Sequence, residues 1–204
     1  QYMFDRETSI PSAIYTSNEF VKATPKVLDD TCVVLTISHS GNTPETVRAA
    51  ELAKEKGAVS ISLTNLVDSP LWKACEYPIH YEHGPEADPN DLSKVILYTL
   101  AFDMLNVVEP SEKWVKGAES LNNLAEVTER IKAKYADFGS QWGKDYKRET
   151  VIYTMGSGAN YGEMYSLAIC LFMEMHRINA RPSFVLGGKS FLSNSTMARR
   201  NGNV

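Results

Sequence analysis

One stretch constrains the fold more than any other. Cys32-Val33-Val34-Leu35-Thr36-Ile37-Ser38 is nearly continuous in apolar and β-branched residues, and a few residues later the chain turns to helix-starting chemistry. Such a run suits a strand buried on both faces of a parallel sheet. Thr43 stands where a helix N-cap belongs, Pro44 fits the first helical position, where its missing N–H costs nothing, and Glu45 favours the positive end of the helix dipole. The spacing predicts a helix over Glu45–Lys56, a left-handed stop at Gly57 and a second strand over Val59–Thr64. This is a βαβ unit, and it commits the chain to an α/β fold.

The remaining chain extends that pattern. Pro70–Cys75 reads as a short helix, Tyr77–Tyr81 as a strand and His83–Asn90 as a loop, after which Asn90 or Asp91 would cap an apolar helix over Leu92–Val108. From Ser111 to about Arg148 the residues turn charged and helix-favouring, with Trp114, Leu121, Leu124, Val127 and Ile131 as the expected buried stripe. The pattern then restarts, with a strand over Thr150–Met155, a tight Gly156-Ser157-Gly158 loop and a long helix over Asn160–Ile178. The segment from Arg181 to Val204 does not continue it and offers only Phe184–Leu186 as a short strand. One strand and one helix cannot close a second core, so the chain is expected to stop short of a full second domain.

Composition narrows the partners. With 43% hydrophobic and 23% charged residues in 204, the chain can bury a core without staples. A formal charge of −4 does not favour nucleic acid or anionic lipid, so an anionic ligand must be held locally. The longest apolar stretches, near Val95–Leu105 and Leu167–Met175, fall short of the roughly 18 residues that span a bilayer. No membrane partner is expected. Cys32, Cys75 and Cys170 are far apart and odd in number, which points to a reducing compartment and a cytoplasmic location. The chain opens on Gln1 rather than Met, and a native N-terminal segment is expected to be missing.

The chemistry concentrates in Ser38-His39-Ser40-Gly41-Asn42-Thr43-Pro44-Glu45, between the first strand and its helix. Unpaired N–H groups at a helix start carry partial positive charge, Gly41 lets backbone approach closely, and the hydroxyls of Ser38, Ser40 and Thr43 are neutral donors. Together they suit a phosphate ester; alternatively the Ser and Asn residues merely build a turn and a cap. The Gly156-Ser157-Gly158 loop has Tyr161 where a dinucleotide fingerprint needs glycine, so its glycines are read as a tight turn for helix–sheet packing. Glu174 sits among Leu171, Phe172, Met173 and Met175. Buried, it would be desolvated into a base for near-neutral pH; facing water, it is an ordinary helix glutamate. His39, His80, His83 and His176 form no metal pattern, and His80 and His83 are read as surface residues flanking a loop. Gly188-Lys189-Ser190 lacks the earlier glycine of a P-loop, since Ser183 occupies that position.

The loop from Ser38 to Glu45 resembles the S-x-S-G-x-T-x-E phosphosugar loop of the sugar isomerase (SIS) domain family. Tyr15–Phe20, Ala49–Gly57 and Ile61–Asn65 are similar to that family too, and Met155–Tyr161 resembles its second-domain G-x-G-x-x-Y element. Within the family the chain is most similar to fructosamine 6-phosphate deglycases, a branch near the isomerase half of glucosamine-6-phosphate synthase. The resemblance implies a doubly wound, flavodoxin-like parallel sheet in three layers. It divides the chain into a first SIS domain over 1–108, lacking its first strand and loop, a helical connector over 109–149, and the opening of a second SIS domain over 150–204. It implies that Ser38, Ser40 and Thr43 hold a sugar phosphate with His39 and Asn42 lining it, and that Glu174 moves a proton between C1 and C2 of the open-chain sugar.

No metal or redox cofactor is implied. The family's next histidine-bearing segment is replaced here by Arg181-Pro182-Ser183-Phe184-Val185-Leu186-Gly187-Gly188. A small-molecule sugar phosphate is the expected partner, with a homodimer for the intact parent protein. Two other activities stay open: aldose/ketose isomerisation of fructose 6-phosphate, and phosphosugar sensing without turnover.

Overall fold

In a computed structural model that describes residues 1–184, Val33–Ile37 forms β1, Val59–Thr64 β2 and Tyr77–His80 β3. The three pair in parallel in the order β1-β2-β3, with Leu35 opposite Ile61 and Ile61 opposite Tyr77. Helix α3 (Pro44–Glu55) makes the β1-to-β2 crossover, and α4 (Pro70–Ala74) joins β2 to β3. Two short helices precede them, α1 (Tyr2–Glu7) and α2 (Ser17–Lys22). This is the doubly wound parallel α/β pattern expected from the sequence.

The core explains why small residues recur here. Ala49, Leu52 and Ala53 of α3 pack with Phe20, Leu28 and Ala58, and Val34 and Cys32 lie against the cluster. Side chains alternate across a strand, so Val34, Thr36, Ser60 and Ser62 share one sheet face. That face carries short side chains, and the alanines of α3 are nearly or fully buried over it. The other face holds Leu63, which is completely buried. Replacing Leu63 by Ala should destabilise the protein by about 2–5 kcal/mol, read from a denaturant unfolding curve.

The expectation that β1 is buried on both faces fails. Val33, Leu35 and Ile37 are 47%, 42% and 48% exposed, because among the described residues β1 is the edge of a three-stranded sheet and α3 covers only the opposite face. A continuous apolar run records both faces as apolar without saying which is covered.

Helix α5 (Ser93–Val108) begins one residue later than expected, and neither Asn90 nor Asp91 caps it. Pro89 starts a 3₁₀ turn over Pro89–Asp91 whose cap is Asp88, its carboxylate accepting from the Asn90 N–H at 2.8 Å, and Leu92 is left at the α5 N-cap. Next come α6 (Glu112–Leu121) and α7 (Leu124–Tyr146). Trp114 is buried beside Phe102, and its indole N–H donates to the Glu109 carbonyl at 3.1 Å. Of the expected buried stripe only Trp114 is buried; Leu121, Leu124 and Val127 are half-buried and Ile131 is 50% exposed.

The chain separates into two compact units, one formed by Tyr15–Ala136 and the other by Gln1–Ile14 with the chain from Asp137. The second unit holds β4 (Val151–Gly156) and β5 (Asn179–Phe184), paired in parallel with Tyr153 opposite Arg181. The strand expected at Phe184–Leu186 therefore starts at Asn179, and Arg181–Phe184 continue the α/β pattern rather than abandoning it. Among the described residues this sheet has two strands, and proline within a sheet is confined to such edge strands. Val185, Leu186 and the Gly188-Lys189-Ser190 stretch lie outside the described residues.

The single helix expected over Asn160–Ile178 is also corrected. Helix α8 (Asn160–Ser166) passes into a π-helical segment over Leu167–Met175, where the His176 N–H donates to the Leu171 carbonyl at 3.1 Å. Among the described residues no helix is long and apolar enough to cross a membrane.

Candidate functional site

In a parallel sheet the loops after the strand carboxyl ends gather at one edge, where ligands of open α/β folds bind. Here those loops are Ser38–Thr43 after β1, Asn65 after β2 and Tyr81–His83 after β3. Hydrogen bonds stitch them together. The Ser38 N–H donates to Leu63 O at 3.1 Å, Asn65 N–H to His39 O at 3.0 Å, and the Asn65 side-chain amide to Tyr81 O at 2.8 Å.

Within the first loop, the hydroxyls of Ser38 and Thr43 lie 3.0 Å apart in a hydrogen bond. Ser38 is 8% exposed and Thr43 is exposed, so the pair runs from the protein interior to the surface. Thr43 takes the N-cap position of α3 as expected, yet its hydroxyl bonds Ser38 and caps no helix N–H. The start of a three-turn helix is therefore left without a side-chain cap beside two hydroxyls. Ser40 is half-buried and its Oγ accepts from the Asn42 N–H at 3.3 Å. His39 and Asn42 are exposed on the same loop. No lysine or arginine belongs to it. The arrangement can take a dianion on neutral donors and helix N–H groups.

Gly41 sets the loop's path. It is buried with φ at +63°, a conformation that costs a side-chain-bearing residue roughly 1–2 kcal/mol. A Cβ there would also run into the Ser69 hydroxyl and come within 2.9 Å of Thr64 Oγ1. Its carbonyl accepts from the Leu71 N–H at 3.0 Å, tying the loop to the start of α4. Gly41→Ala should cost about 2–5 kcal/mol, strain and clash together, and lower the thermal midpoint measured by circular dichroism.

His39 has support that the sequence does not reveal. Its Nδ1 lies 2.9 Å from the Tyr81 hydroxyl, and its ring meets His83 edge-on with centroids 4.9 Å apart. Tyr81 is 6% exposed, and burial pushes its phenol above the ordinary tyrosine range. Tyr81, His83 and Asn65 are the residues that sequence reasoning missed. Their position just after the second and third strands of an α/β pattern was the available signal.

Glu174 lies in the other compact unit, on the π-helical segment, and is exposed together with Leu171, Met173 and Met175. Among the described residues none encloses it in the desolvating pocket that one reading of its neighbours required. In the Gly156–Gly158 loop a Cβ on Gly156 would approach Met164 Cγ to 2.7 Å and Asn160 O to 2.9 Å. That glycine lets β4 and α8 close on each other, in line with a packing role. His80 and His176 are exposed, and among the described residues no cluster of His, Cys, Asp or Glu has metal-binding proximity.

Known proteins match this chain over most of its length. The SIS domain pattern matches residues 1–108. Fructosamine deglycase FrlB of Bacillus subtilis is 42% identical over 181 residues, which are 88% of this chain and 55% of that protein. Fructoselysine 6-phosphate deglycase of Escherichia coli is 27% identical over 175 residues, 85% of this chain and 50% of that one. A crystal structure of a proposed phosphosugar isomerase from Bacillus subtilis superposes with a TM-score of 0.87 at 41% identity, covering 90% of this chain and 56% of that one. The chain thus spans about half the length of the curated relatives it matches.

Proposed function

The chain belongs to the SIS domain family, and from that premise we propose that it is the phosphosugar-binding part of a fructosamine 6-phosphate deglycase. The observation that carries the reading is the Ser38–Thr43 hydroxyl pair at the uncapped start of α3, on a loop without cationic side chains. A sugar phosphate fits there because three hydroxyls and helix N–H groups can surround its oxygens.

The reaction is the hydrolysis of an amine-linked fructose 6-phosphate. Glu174 takes a proton from C1 of the ketoamine, a proton is returned to C2, and the amine's N–H proton is lost as the C2 oxygen gains one, moving the double bond from the C2 carbonyl to a C1 imine. Water adds to that imine and the C–N bond breaks, giving glucose 6-phosphate and the free amine. The carbonyl and amine of the substrate hold the charge of the intermediate. His39 and Asn42 line the phosphate end, and the working form is a homodimer. A cytoplasmic location suits its three free cysteines and its substrate class.

The test is incubation with fructoselysine 6-phosphate and, separately, fructose 6-phosphate, with glucose 6-phosphate followed by a coupled dehydrogenase. Release from fructoselysine 6-phosphate alone supports the deglycase. Formation from fructose 6-phosphate instead favours an isomerase, and calorimetric binding without any product favours a sensing module.

A further inference from the structure

We infer that Tyr81 is a positioning residue that fixes the tautomer of His39, so that His39 offers the phosphosugar loop a neutral Nε2–H donor. The inference rests on the phosphosugar reading of that loop and adds to it a residue 42 positions away from His39 in sequence.

The geometry has three parts. First, Tyr81 is 6% exposed, and its hydroxyl is hydrogen-bonded to His39 Nδ1 at 2.9 Å. A buried hydroxyl left without an acceptor loses the solvation of its donor, so the proton belongs on the bond to Nδ1. Burial also holds the phenol in its protonated form near neutral pH, which keeps it a donor. In neutral imidazole one nitrogen accepts and the other donates; with Nδ1 accepting, the proton sits on Nε2.

Second, the backbone that carries the phenol is fixed. The Tyr81 N–H donates to Thr64 O at 3.2 Å, and its carbonyl accepts from the Asn65 side chain at 2.8 Å. Third, the His39 backbone is held from the same side. Its carbonyl accepts from the Asn65 N–H at 3.0 Å and from Thr64 Oγ1 at 3.3 Å. The imidazole is thus held at backbone and at Nδ1, and the edge-on ring of His83 restricts its remaining swing. His39 itself is exposed and stands between Ser38 and Ser40 in the same loop, so the tethered residue remains open to solvent. The outcome is a fourth neutral donor with a set direction, on a loop that has no charged one.

The experiment uses the full chain labelled with ¹⁵N-histidine. Long-range ¹H–¹⁵N correlation spectra report the His39 tautomer, and fructose 6-phosphate is titrated by calorimetry, for the wild type, Tyr81→Phe, His39→Gln and His39→Ala. The expected wild-type tautomer is Nε2–H. Tyr81→Phe should lose that preference and bind roughly three- to tenfold more weakly. His39→Gln, which keeps an amide donor, should bind more tightly than His39→Ala. A wild-type Nδ1–H tautomer overturns the proposal, as does a Tyr81→Phe variant with unchanged tautomer and affinity. If the wild type shows the Nε2–H tautomer but takes up no fructose 6-phosphate, the phosphosugar reading fails while the Tyr81–His39 coupling stands, so the two failures are distinguishable.

Discussion

Glu174→Gln is expected to lower glucose 6-phosphate release from fructoselysine 6-phosphate about 10²- to 10⁴-fold, with sugar-phosphate affinity unchanged. The amide keeps the shape and hydrogen-bonding reach of the carboxylate and removes only its ability to take a proton. Folding should hardly notice. Glu174 is exposed on the segment Leu167–Met175, and a surface exchange of this kind stays within about 0.5 kcal/mol. Rate constants and unfolding midpoints measured on the same preparation check both halves. A rate within a few-fold of wild type would remove Glu174 from the chemistry, and a collapse of stability would make it structural.

The triple variant Ser38→Ala/Ser40→Ala/Thr43→Ala should weaken fructose 6-phosphate binding by at least ~10³-fold. A hydrogen bond to a charged group contributes about 1.5–3 kcal/mol, and three of them, even without full additivity, exceed the roughly 4 kcal/mol that a thousandfold loss represents. The fold should survive. Ser38 and Thr43 hydroxyls bond each other, so their joint removal leaves neither partner orphaned. The Thr43 hydroxyl caps no helix N–H, so α3 should not lose the ~1 kcal/mol that deleting a capping threonine usually costs. Calorimetric titration reads the binding and circular dichroism the helix. Retained affinity would show that the phosphate is held elsewhere; a melted α3 would show that these residues serve the turn alone.

The site was partly legible because part of it is local. Ser38, Ser40 and Thr43 fall within six consecutive residues, and Pro44 and Glu45 mark the helix start beside them. Their proximity follows from chain connectivity, and the helix begins at Pro44 as read. The left-handed turn needed at Gly57 is likewise a local matter, and its φ is +80°. Elsewhere the reading failed where packing decides. The residues of β1 looked doubly buried because Val33, Leu35 and Ile37 are apolar, and an edge strand with one uncovered face has the same composition. For Glu174 the sequence left a buried and a solvent-facing place open, because apolar neighbours do not say which face is covered; Leu171, Met173 and Met175 are themselves exposed.

By itself, then, the amino-acid order determined a parallel α/β unit and a run of hydroxyls at a helix start, since both depend on periodicity and on residues within one or two turns of each other. Only the tertiary structure decided that Tyr81 and His83 stand against His39, that Gly41 must be glycine because Ser69 and Thr64 crowd it, and which sheet face is covered. Those facts depend on strand register, which brings residues some forty positions apart within hydrogen-bond distance, and no local pattern encodes that.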